Sequence, residues 1–324
     1  MSKRFNNKRL LYLLAGLTVI LILTILIKIP KEKATFRSSI VDLDTSAVIK
    51  IILNNRISAG NTVEFNRNND HWTVRQGKIV SAIDEGAVQN IFSEVLNIKP
   101  QSLAAINQSR WKEFDLTDSL ATRIKFLNSK GKILADIMIG KLDFKQPDKP
   151  DGGFSGNNIK MTSYVRLYSE KEVYAFDGLI PFSFNIKFDD WRDKTFVRYN
   201  KSEISNISYL YPADSSYKLI RKDSLWYSGS LKADSLKVGN YLNSITLMRG
   251  EEFKDDFTPV SNPVYQMLVQ ATNSVGFSIK CYAGSSLGEY IFNSSLYPEV
   301  YFIDRKSILF NQLFKPQSYF MKKL

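Results

Sequence analysis

The sequence has very little of the chemistry on which many enzyme and metal sites depend. Its 324 residues include one cysteine and one histidine. A single cysteine, Cys281, excludes an internal disulfide framework, and its place in the alternating run Val275, Phe277, Ile279, Cys281 predicts a small buried strand residue. His71 belongs to no recognisable metal or phosphate motif, because the chain contains no His-Glu-x-x-His, Cys-x-x-Cys or Gly-x-x-x-x-Gly-Lys-Ser/Thr pattern.

No residue can be assigned a catalytic role from the sequence. A histidine base needs an orienting partner and a nucleophile, and the sequence around His71 indicates neither. Asp189, Asp190 and Asp193 lie close together, but such neighbouring acids more often cap a helix or face solvent. The acidic residues of segment 141–163 lack the spacing and the closing glutamate of a calcium-binding loop. We therefore predict no enzyme activity, no metal site and no cofactor.

The net charge of +12 is concentrated at the N-terminus. Residues 1–37 hold eight Lys or Arg and one acid, which leaves 36 basic and 31 acidic residues for the rest of the chain. A body with a small excess of positive charge and both signs interspersed has an ordinary solvated surface. The composition therefore does not favour binding of nucleic acid.

A long uncharged run follows the basic N-terminus. Residues Leu10 to Ile27 contain no charge, and as a helix these 18 residues would span about 27 Å, close to the hydrocarbon core of a bilayer. The run is longer than a signal-peptide core and has neither a clear cleavage site nor a polar face, which disfavours a cleaved signal peptide and a buried core helix. We predict a single-pass inner-membrane anchor in contact with the lipid bilayer, with the bulk of the chain on the periplasmic side.

The chain contains two similar halves. The hexamer EVYAFD at residues 172–177 returns as EVYFID at residues 299–304, and upstream the stretch 63–74 aligns with 217–228. Each of these upstream stretches alternates apolar and polar residues around a polar turn, which predicts a β-hairpin. The aligned residues are Arg67 with Arg221 and Trp72 with Trp226.

After each predicted hairpin the apolar spacing changes to that of an amphipathic helix. An aspartate, Asp84 or Asp234, stands four residues before each stripe and is predicted to cap the helix N-terminus. The two stripes are separated by a constant 150 positions, which chance similarity between generic hairpins does not account for. They are Val88, Ile91, Phe92 and Val95 in the first half, and Val238, Tyr241, Leu242 and Ile245 in the second.

These patterns predict an α+β protein with an N-terminal transmembrane helix and two copies of a β-β-α-β-β-β unit in mainly antiparallel sheets. The expected organisation is an N-terminal anchor region at 1–37, a first unit at 38–178, a connector at 179–201 and a second unit at 202–324. Trp72 and Trp226, at equivalent positions, are expected to pack in the cores rather than to form a platform for sugars.

The two copies differ at one hairpin. Between Gly140 and Tyr164 the first copy has 23 residues, whereas five separate Gly284 from Tyr290 in the second. Loops of this length tend to be functional or disordered, so either a partner-contacting loop or a disordered hairpin tip is expected. The candidate contact residues are Phe144, Asp151, Phe154 and Asn157.

The recurring stretches V.F.R....W.V, YVRL, EVY.FD and WRDK.F, which follow a single N-terminal anchor, resemble the DUF4340 family over most of residues 40–310. The resemblance implies a fold rather than an activity, since the family has no established catalytic residues. Related domains occur in auxiliary components of gliding-motility-type ABC transporters of Bacteroidetes. The resemblance therefore implies a bacterial membrane-tethered accessory protein.

Three functions stay open from the sequence. The first is a non-catalytic envelope adaptor that contacts a membrane-protein partner through exposed sheet edges and the 141–163 loop. The second is a module that binds a glycan, lipid or peptide in a groove between the two copies. The third is a hydrolase whose carboxylates are brought together only by the fold.

Overall fold

The chain forms two compact units. The computed structural model describes residues 12, 14–19, 37, 39–57, 60–145 and 160–322. The first unit comprises Met1–Gly77 and Gly86–Lys187, and the second unit comprises Lys78–Glu85 and Phe188–Leu324. In the described part of the chain, no helix is both long enough and apolar enough to cross a membrane. Most of the predicted anchor, residues 10–27, lies outside the described residues, so the anchor stays a prediction.

The first nine-stranded sheet has the strand order β4-β3-β2-β1-β6-β7-β8-β9-β5. Alternating apolar residues such as Ile51 and Leu53, or Ile124 and Phe126, are fully buried on one face, as the period of two in a strand requires. Its strands are β1 (Lys50–Asn54), β2 (Val63–Asn68), β3 (His71–Gln76), β4 (Ile79–Ala82), β5 (Ser102–Ala105), β6 (Thr122–Leu127), β7 (Ile133–Lys145), β8 (Lys160–Leu167) and β9 (Val173–Asp177).

The second unit contains a two-stranded sheet, β10-β15, and a nine-stranded sheet of order β14-β13-β12-β11-β17-β18-β19-β20-β16. The strands are β10 (Thr195–Arg198), β11 (Ile204–Leu210), β12 (Tyr217–Lys222), β13 (Leu225–Ser228), β14 (Leu231–Lys232), β15 (Leu247–Arg249), β16 (Glu252–Phe253), β17 (Tyr265–Ala271), β18 (Phe277–Ala283), β19 (Tyr290–Ser294) and β20 (Tyr297–Asp304). The two nine-stranded sheets therefore have corresponding strand orders.

Few helices accompany the sheets. From residue 39 onward, the α-helices among the described residues are α1 (Ala87–Leu96), α2 (Ile180–Phe184), α3 (Ser235–Ile245) and α4 (Ile308–Leu313). Short 3₁₀ helices are formed by Thr45–Ala47, Gln108–Phe114, Phe188–Asp190, Lys201–Glu203 and Gln317–Phe320. The predicted mainly antiparallel α+β fold is confirmed, although the sheets hold more strands than the predicted units.

The two amphipathic helices lie where the sequence places them, but their N-termini differ. The Asp234 carboxylate accepts from the amides of Leu236 and Lys237, so its predicted role as a cap is confirmed. The prediction for Asp84 is wrong: α1 follows Gly86, which takes the N-cap position in a left-handed conformation. The Asp84 carboxylate instead accepts from the Arg249 guanidinium. These two residues are far apart in sequence, so no local pattern could indicate their contact.

Both units use the same arginine clasp at their first hairpin. In each, the Nε group of an arginine donates to the carbonyl of its own turn, at 3.1 or 3.3 Å, and Nη1 donates to a serine carbonyl of the preceding 3₁₀ helix, at 3.3 or 3.1 Å. These contacts fix the hairpin turn against the chain that leads into the sheet. The clasps are Arg67 with Asn69 and Ser46, and Arg221 with Asp223 and Ser202.

The second unit is closed by its C-terminal segment. The hydroxyls of Tyr211 and Tyr217 both donate to the carbonyl of Lys315, at 2.7 and 2.6 Å. The Tyr241 hydroxyl donates to the carbonyl of Leu313 at 2.6 Å, and the Leu313 side chain is fully buried. Segment 308–320 is therefore part of the core of this unit. Cys281, as predicted, is a buried strand residue.

Candidate partner-contact site

The predicted contact loop is carried by β7 and β8, and β7 is the longest of the described strands. The two strands stay paired as far as Lys145 and Lys160, with a bulge between Ile139 and Leu142. Phe144 lies on the outer part of β7 with 60% of its surface exposed. The other candidate contact residues, Asp151, Phe154 and Asn157, lie outside the described residues.

A glycine is required where the hairpin leaves the sheet. A Cβ atom on Gly140 would lie 2.1 Å from the carbonyl oxygen of Phe114 and 2.9 Å from Cγ of Leu116. Such distances are far below van der Waals contact, so any larger residue would displace the 3₁₀ segment that covers the bulge. Close packing at Gly140 therefore fixes the base from which the outer hairpin extends.

A small polar and aromatic cluster supports this base. The Tyr164 hydroxyl donates to Asp143 Oδ2 at 3.1 Å, and Lys141 Nζ lies 3.1 Å from the same oxygen. The rings of Tyr164 and Phe114 are 4.6 Å apart. Burial raises the pKa of Tyr164, and the hydrogen bond to Asp143 raises it further. The ion pair between Lys141 and Asp143 is thus supported by a hydrogen bond from the neutral Tyr164 hydroxyl.

Two positions beyond Tyr164 on β8, a buried arginine fastens the hairpin to the rest of the unit. Arg166 is 1% exposed, and its guanidinium lies 3.6 Å from the centre of the Trp111 ring. It donates to the backbone carbonyls of Leu116, Leu167 and Tyr168 at 3.0 to 3.2 Å. Burial lowers the pKa of this guanidinium. The Trp111 ring is thereby packed against Arg166, and its indole NH donates to the carbonyl of Lys171 at 2.9 Å.

Three exposed apolar residues lie at the end of the sheet from which the outer hairpin extends, and we name them together the hairpin patch: Phe144, Leu179 and Phe182. Leu179 and Phe182 are 43% and 62% exposed. They are linked to Phe144 through the backbone, since Met161 pairs with Phe144 and its carbonyl accepts from the amide of Gly178. Large apolar side chains exposed at the same end of a sheet favour an interaction site there.

Sequence reasoning missed two members of the hairpin patch. Leu179 and Phe182 fall in the segment 179–201, which was interpreted only as a connector. In the structure Ile180, Pro181 and Phe184 of α2 are buried, whereas Phe182 and the preceding Leu179 are exposed. The apolar run at 179–184 was a usable signal, because an amphipathic turn cannot bury every one of its apolar residues.

The corresponding hairpin of the second unit is short and closed. The amide of Gly284 donates to the carbonyl of Glu289 at 2.8 Å, and the Glu289 carboxylate accepts from Ser285 and Arg305. Residues 284–288 read Gly-Ser-Ser-Leu-Gly, the spacing of a nucleophile elbow. That motif requires a strand-to-helix turn, whereas this segment joins two antiparallel strands, β18 and β19.

The acidic cluster lies within the predicted connector, and two of its three acids are held in ion pairs. Arg192, which is 3% exposed, donates to Asp189 at 3.0 Å and to both oxygens of Asp255. Asp190 pairs with Lys194. In the described part of the chain, no group of three or more His, Cys, Asp or Glu side chains is placed to hold a metal ion.

Two open clefts lie away from the hairpin patch. One of about 480 Å³ in the first unit is lined by Ile40–Asp42, the start of β7 and Leu167–Ser169. The other, of about 350 Å³ in the second unit, is lined mainly by polar residues around the Arg221 clasp, including Glu203 and Asp223. His71, the single histidine, is exposed at the start of β3.

Comparison with known proteins gives one match. The sequence model of a family described as a domain of unknown function, DUF4340, matches residues 76–266, more than half of the 324 residues. No curated protein and no solved structure matches the chain. The matched range includes β7, β8 and the bulge at Gly140. The chain belongs to the DUF4340 family.

Proposed function

We propose that this protein is a membrane-anchored, non-catalytic adaptor of the bacterial cell envelope, which docks onto a membrane-protein partner through the hairpin patch. The observation that carries the proposal is the contrast between two corresponding hairpins: one is extended and presents exposed Phe144, and the other is closed by Glu289. Exposed aromatic side chains on a rigid support suit protein recognition, because they bury much area at little cost in conformational entropy.

The local charges support a protein partner of this kind. Lys141 is paired with Asp143, and Lys160 lies 3.7 Å from Asp177. With these charges internally balanced, the energy of docking would come mainly from burial of the apolar patch. The adaptor could serve an ABC transporter of the gliding-motility type, as the resemblance to auxiliary components of such transporters implies, with the folded units on the periplasmic side of the inner membrane.

We further propose that the two units arose from one duplicated unit. The corresponding strand orders, the arginine clasps at Arg67 and Arg221, and the helix stripes 150 positions apart support this interpretation. Under duplication the long hairpin of the first unit is a specialisation of one copy. Function would then lie where the copies diverge.

In-cell photocrosslinking tests the adaptor proposal. A photoreactive residue is placed at Phe144 or Phe182, with a matched control at Leu236, an apolar residue of α3 that is 73% exposed in the second unit. Adducts are purified in mild detergent and identified by mass spectrometry. We expect the same membrane-protein partner from both patch positions and not from the control. Adducts of equal yield from all three positions, or none from any, would contradict the proposal.

A second candidate function is favoured by the cleft of about 480 Å³ in the first unit. It is bordered by the exposed side chain of Ile133 and by Tyr168, whose ring carries the Arg123 guanidinium at 3.3 Å. A mixed apolar and aromatic cleft of this size can hold a small glycan, lipid or peptide. Saturation-transfer NMR with envelope glycans, lipids and peptides tests it, and a signal that survives Tyr168→Ala would count against this cleft.

A further inference from the structure

The described chain enters the first unit at one end of its sheet. Arg37 lies 2.8 Å from Glu170 in the turn between β8 and β9. The amide of Ile49, just before β1, donates to the carbonyl of Leu127 at the end of β6. Because β1 and β6 are antiparallel, both contacts lie at the end of the sheet where β1 starts and β6 finishes. We name this the entry end.

The hairpin patch lies at the opposite end. Strand β7 starts at the entry end, where Ile133 pairs with Leu127, and runs away from it for 13 residues. Phe144 is eleven residues beyond Ile133, which corresponds to about 36 Å at the rise of a β-strand. Leu179 and Phe182 follow β9, which leaves the entry end in the same direction as β7.

The tether to the predicted anchor is short. Nine residues separate Ile27, the last residue of the apolar run, from Arg37, and they can span about 30 Å when fully extended. An anchored chain therefore holds the entry end near the bilayer and leaves the opposite end free. This step depends on the anchor, and so on the proposed function.

The charges around the hairpin patch disfavour a lipid surface as its occupant. Docking on anionic lipids relies on clustered, unpaired lysine and arginine. Here Lys141 lies 3.1 Å from Asp143, Lys160 lies 3.7 Å from Asp177, and Arg56 at the same end of the sheet pairs with Asp115 at 3.1 Å. These three cations are thus each paired with a carboxylate, so they do not form the cluster of unpaired charges that anionic lipid requires.

We infer that the hairpin patch docks an uncharged, apolar surface on the part of a partner protein that lies outside the membrane, several tens of ångströms from the bilayer. This deepens the proposed function by placing the contact away from both lipid and transmembrane helices. It follows from the direction of β7, the short tether and the balanced charges.

The first test measures distance from the bilayer in the full-length protein. Cysteines are introduced singly as Ser129→Cys, in the turn at the entry end, and as Phe144→Cys, and each is labelled with a fluorophore; Cys281 is buried and will label poorly. The protein is reconstituted in vesicles of phosphatidylethanolamine and phosphatidylglycerol that carry a headgroup acceptor. We expect energy transfer several-fold stronger from position 129 than from position 144. Equal transfer would overturn the inference.

The second test maps the partner. Peptides crosslinked from a photoreactive residue at Phe144 are sequenced, and we expect them to come from segments of the partner outside its membrane spans. Crosslinks to transmembrane segments or to lipid would overturn the inference while leaving an adaptor role intact. Failure of the full-length protein to float with vesicles would instead overturn the anchor, and with it the proposed function, so the two failures are distinguishable.

Discussion

The hairpin β7–β8 of the first unit and the hairpin β18–β19 of the second unit occupy corresponding places in sheets of corresponding strand order. The second hairpin turns within six residues and is locked by Glu289 and Arg305. The first continues beyond its bulge and presents Phe144 to solvent. Since the sheets match and the hairpins do not, we expect any difference in function between the two units to lie at the hairpins.

The comparison extends inward along the strands. In the aligned sequences Tyr164 matches Tyr290, Gly140 matches Gly284, and Arg166 matches Phe292. The two aligned positions differ in their surroundings: Phe292 pairs with Cys281 and packs in the main core of the second unit, whereas Arg166 pairs with Met138 on the face of its sheet that Phe114 and Trp111 cover. An arginine there must satisfy its donors with backbone carbonyls, and in doing so it ties the long hairpin to the 3₁₀ segment beneath it.

The largest effect is expected from removal of Arg166. Arg166→Ala should lower the free energy of unfolding of the first unit by about 3 kcal/mol, because three carbonyls lose their donor and a cavity opens beside Trp111. Phe292→Ala, at the aligned position of the second unit, should cost about as much by cavity formation in the main core. Urea unfolding followed by hydrogen exchange would resolve the two units. An Arg166→Ala protein as stable as the wild type would show that the guanidinium does not fasten the hairpin.

Adding a methyl group should lower the stability of the protein more at Gly140 than at Gly284. Gly140→Ala is expected to destabilise the first unit by about 2 kcal/mol, because the new Cβ meets the backbone carbonyl of Phe114. Gly284→Ala should cost about 1 kcal/mol, because its nearest atoms belong to the side chain of Glu289, which can move. Thermal unfolding of the two variants checks the order. A reversal would mean that the bulge relaxes more easily than the closed turn.

A smaller effect is expected on partner binding. Phe144→Asp combined with Phe182→Asp should reduce the yield of co-purified partner about tenfold, the effect of losing about 1.4 kcal/mol from an apolar interface. Leu236→Asp in the second unit is the matched surface control, with no loss expected. The far-ultraviolet circular dichroism of each variant verifies folding. Unchanged yield from the double variant would remove the hairpin patch from the interface.

The smallest effect is a pH dependence of the hairpin base. Burial raises the pKa of both Tyr164 and Tyr290, and the hydrogen bond to Asp143 raises that of Tyr164 further. A phenol with a raised pKa in the folded state stabilises the fold fully below the ordinary tyrosine pKa, and this stabilisation is lost as pH rises through the folded value. Asp143→Asn should lower the pKa of Tyr164 and leave that of Tyr290 unchanged, as measured by NMR titration above pH 9. Equal shifts at both tyrosines would contradict this.

Local sequence patterns predict much of the secondary structure. The alternation around Arg67 and Arg221 correctly predicted two hairpins, and the stripe from Val238 to Ile245 is buried as expected. Local patterns failed where the deciding contact is distant in sequence. The sequence around Asp84 predicts a helix cap, because the contact with Arg249 depends on the fold. Short edge strands such as β5 have too few residues to show the alternation of apolar and polar residues.

The candidate site was only partly predictable for the same reason. Insertion of residues between Gly140 and Tyr164 could be seen by comparing the two halves, and it led directly to Phe144. Leu179 and Phe182 could not be joined to it, because the link runs through pairing of Met161 with β7 and the amide of Gly178. Such surfaces form from segments that only the sheet brings together.

The tyrosine contacts to segment 308–320 also bear on how the chain is made. All residues of the first unit have left the ribosome once Lys187 has emerged. The stretch 78–85, which belongs to the second unit, has emerged by then as well. The core of the second unit lacks the fully buried Leu313 and Phe320 until residue 320 has emerged. Folding is therefore expected to proceed in the order of synthesis, with one unit formed while the other waits for its last aromatic residues. A stalled nascent chain that ends near residue 300 would present a folded first unit beside an open aromatic sheet, the state most exposed to aggregation and to proteolysis.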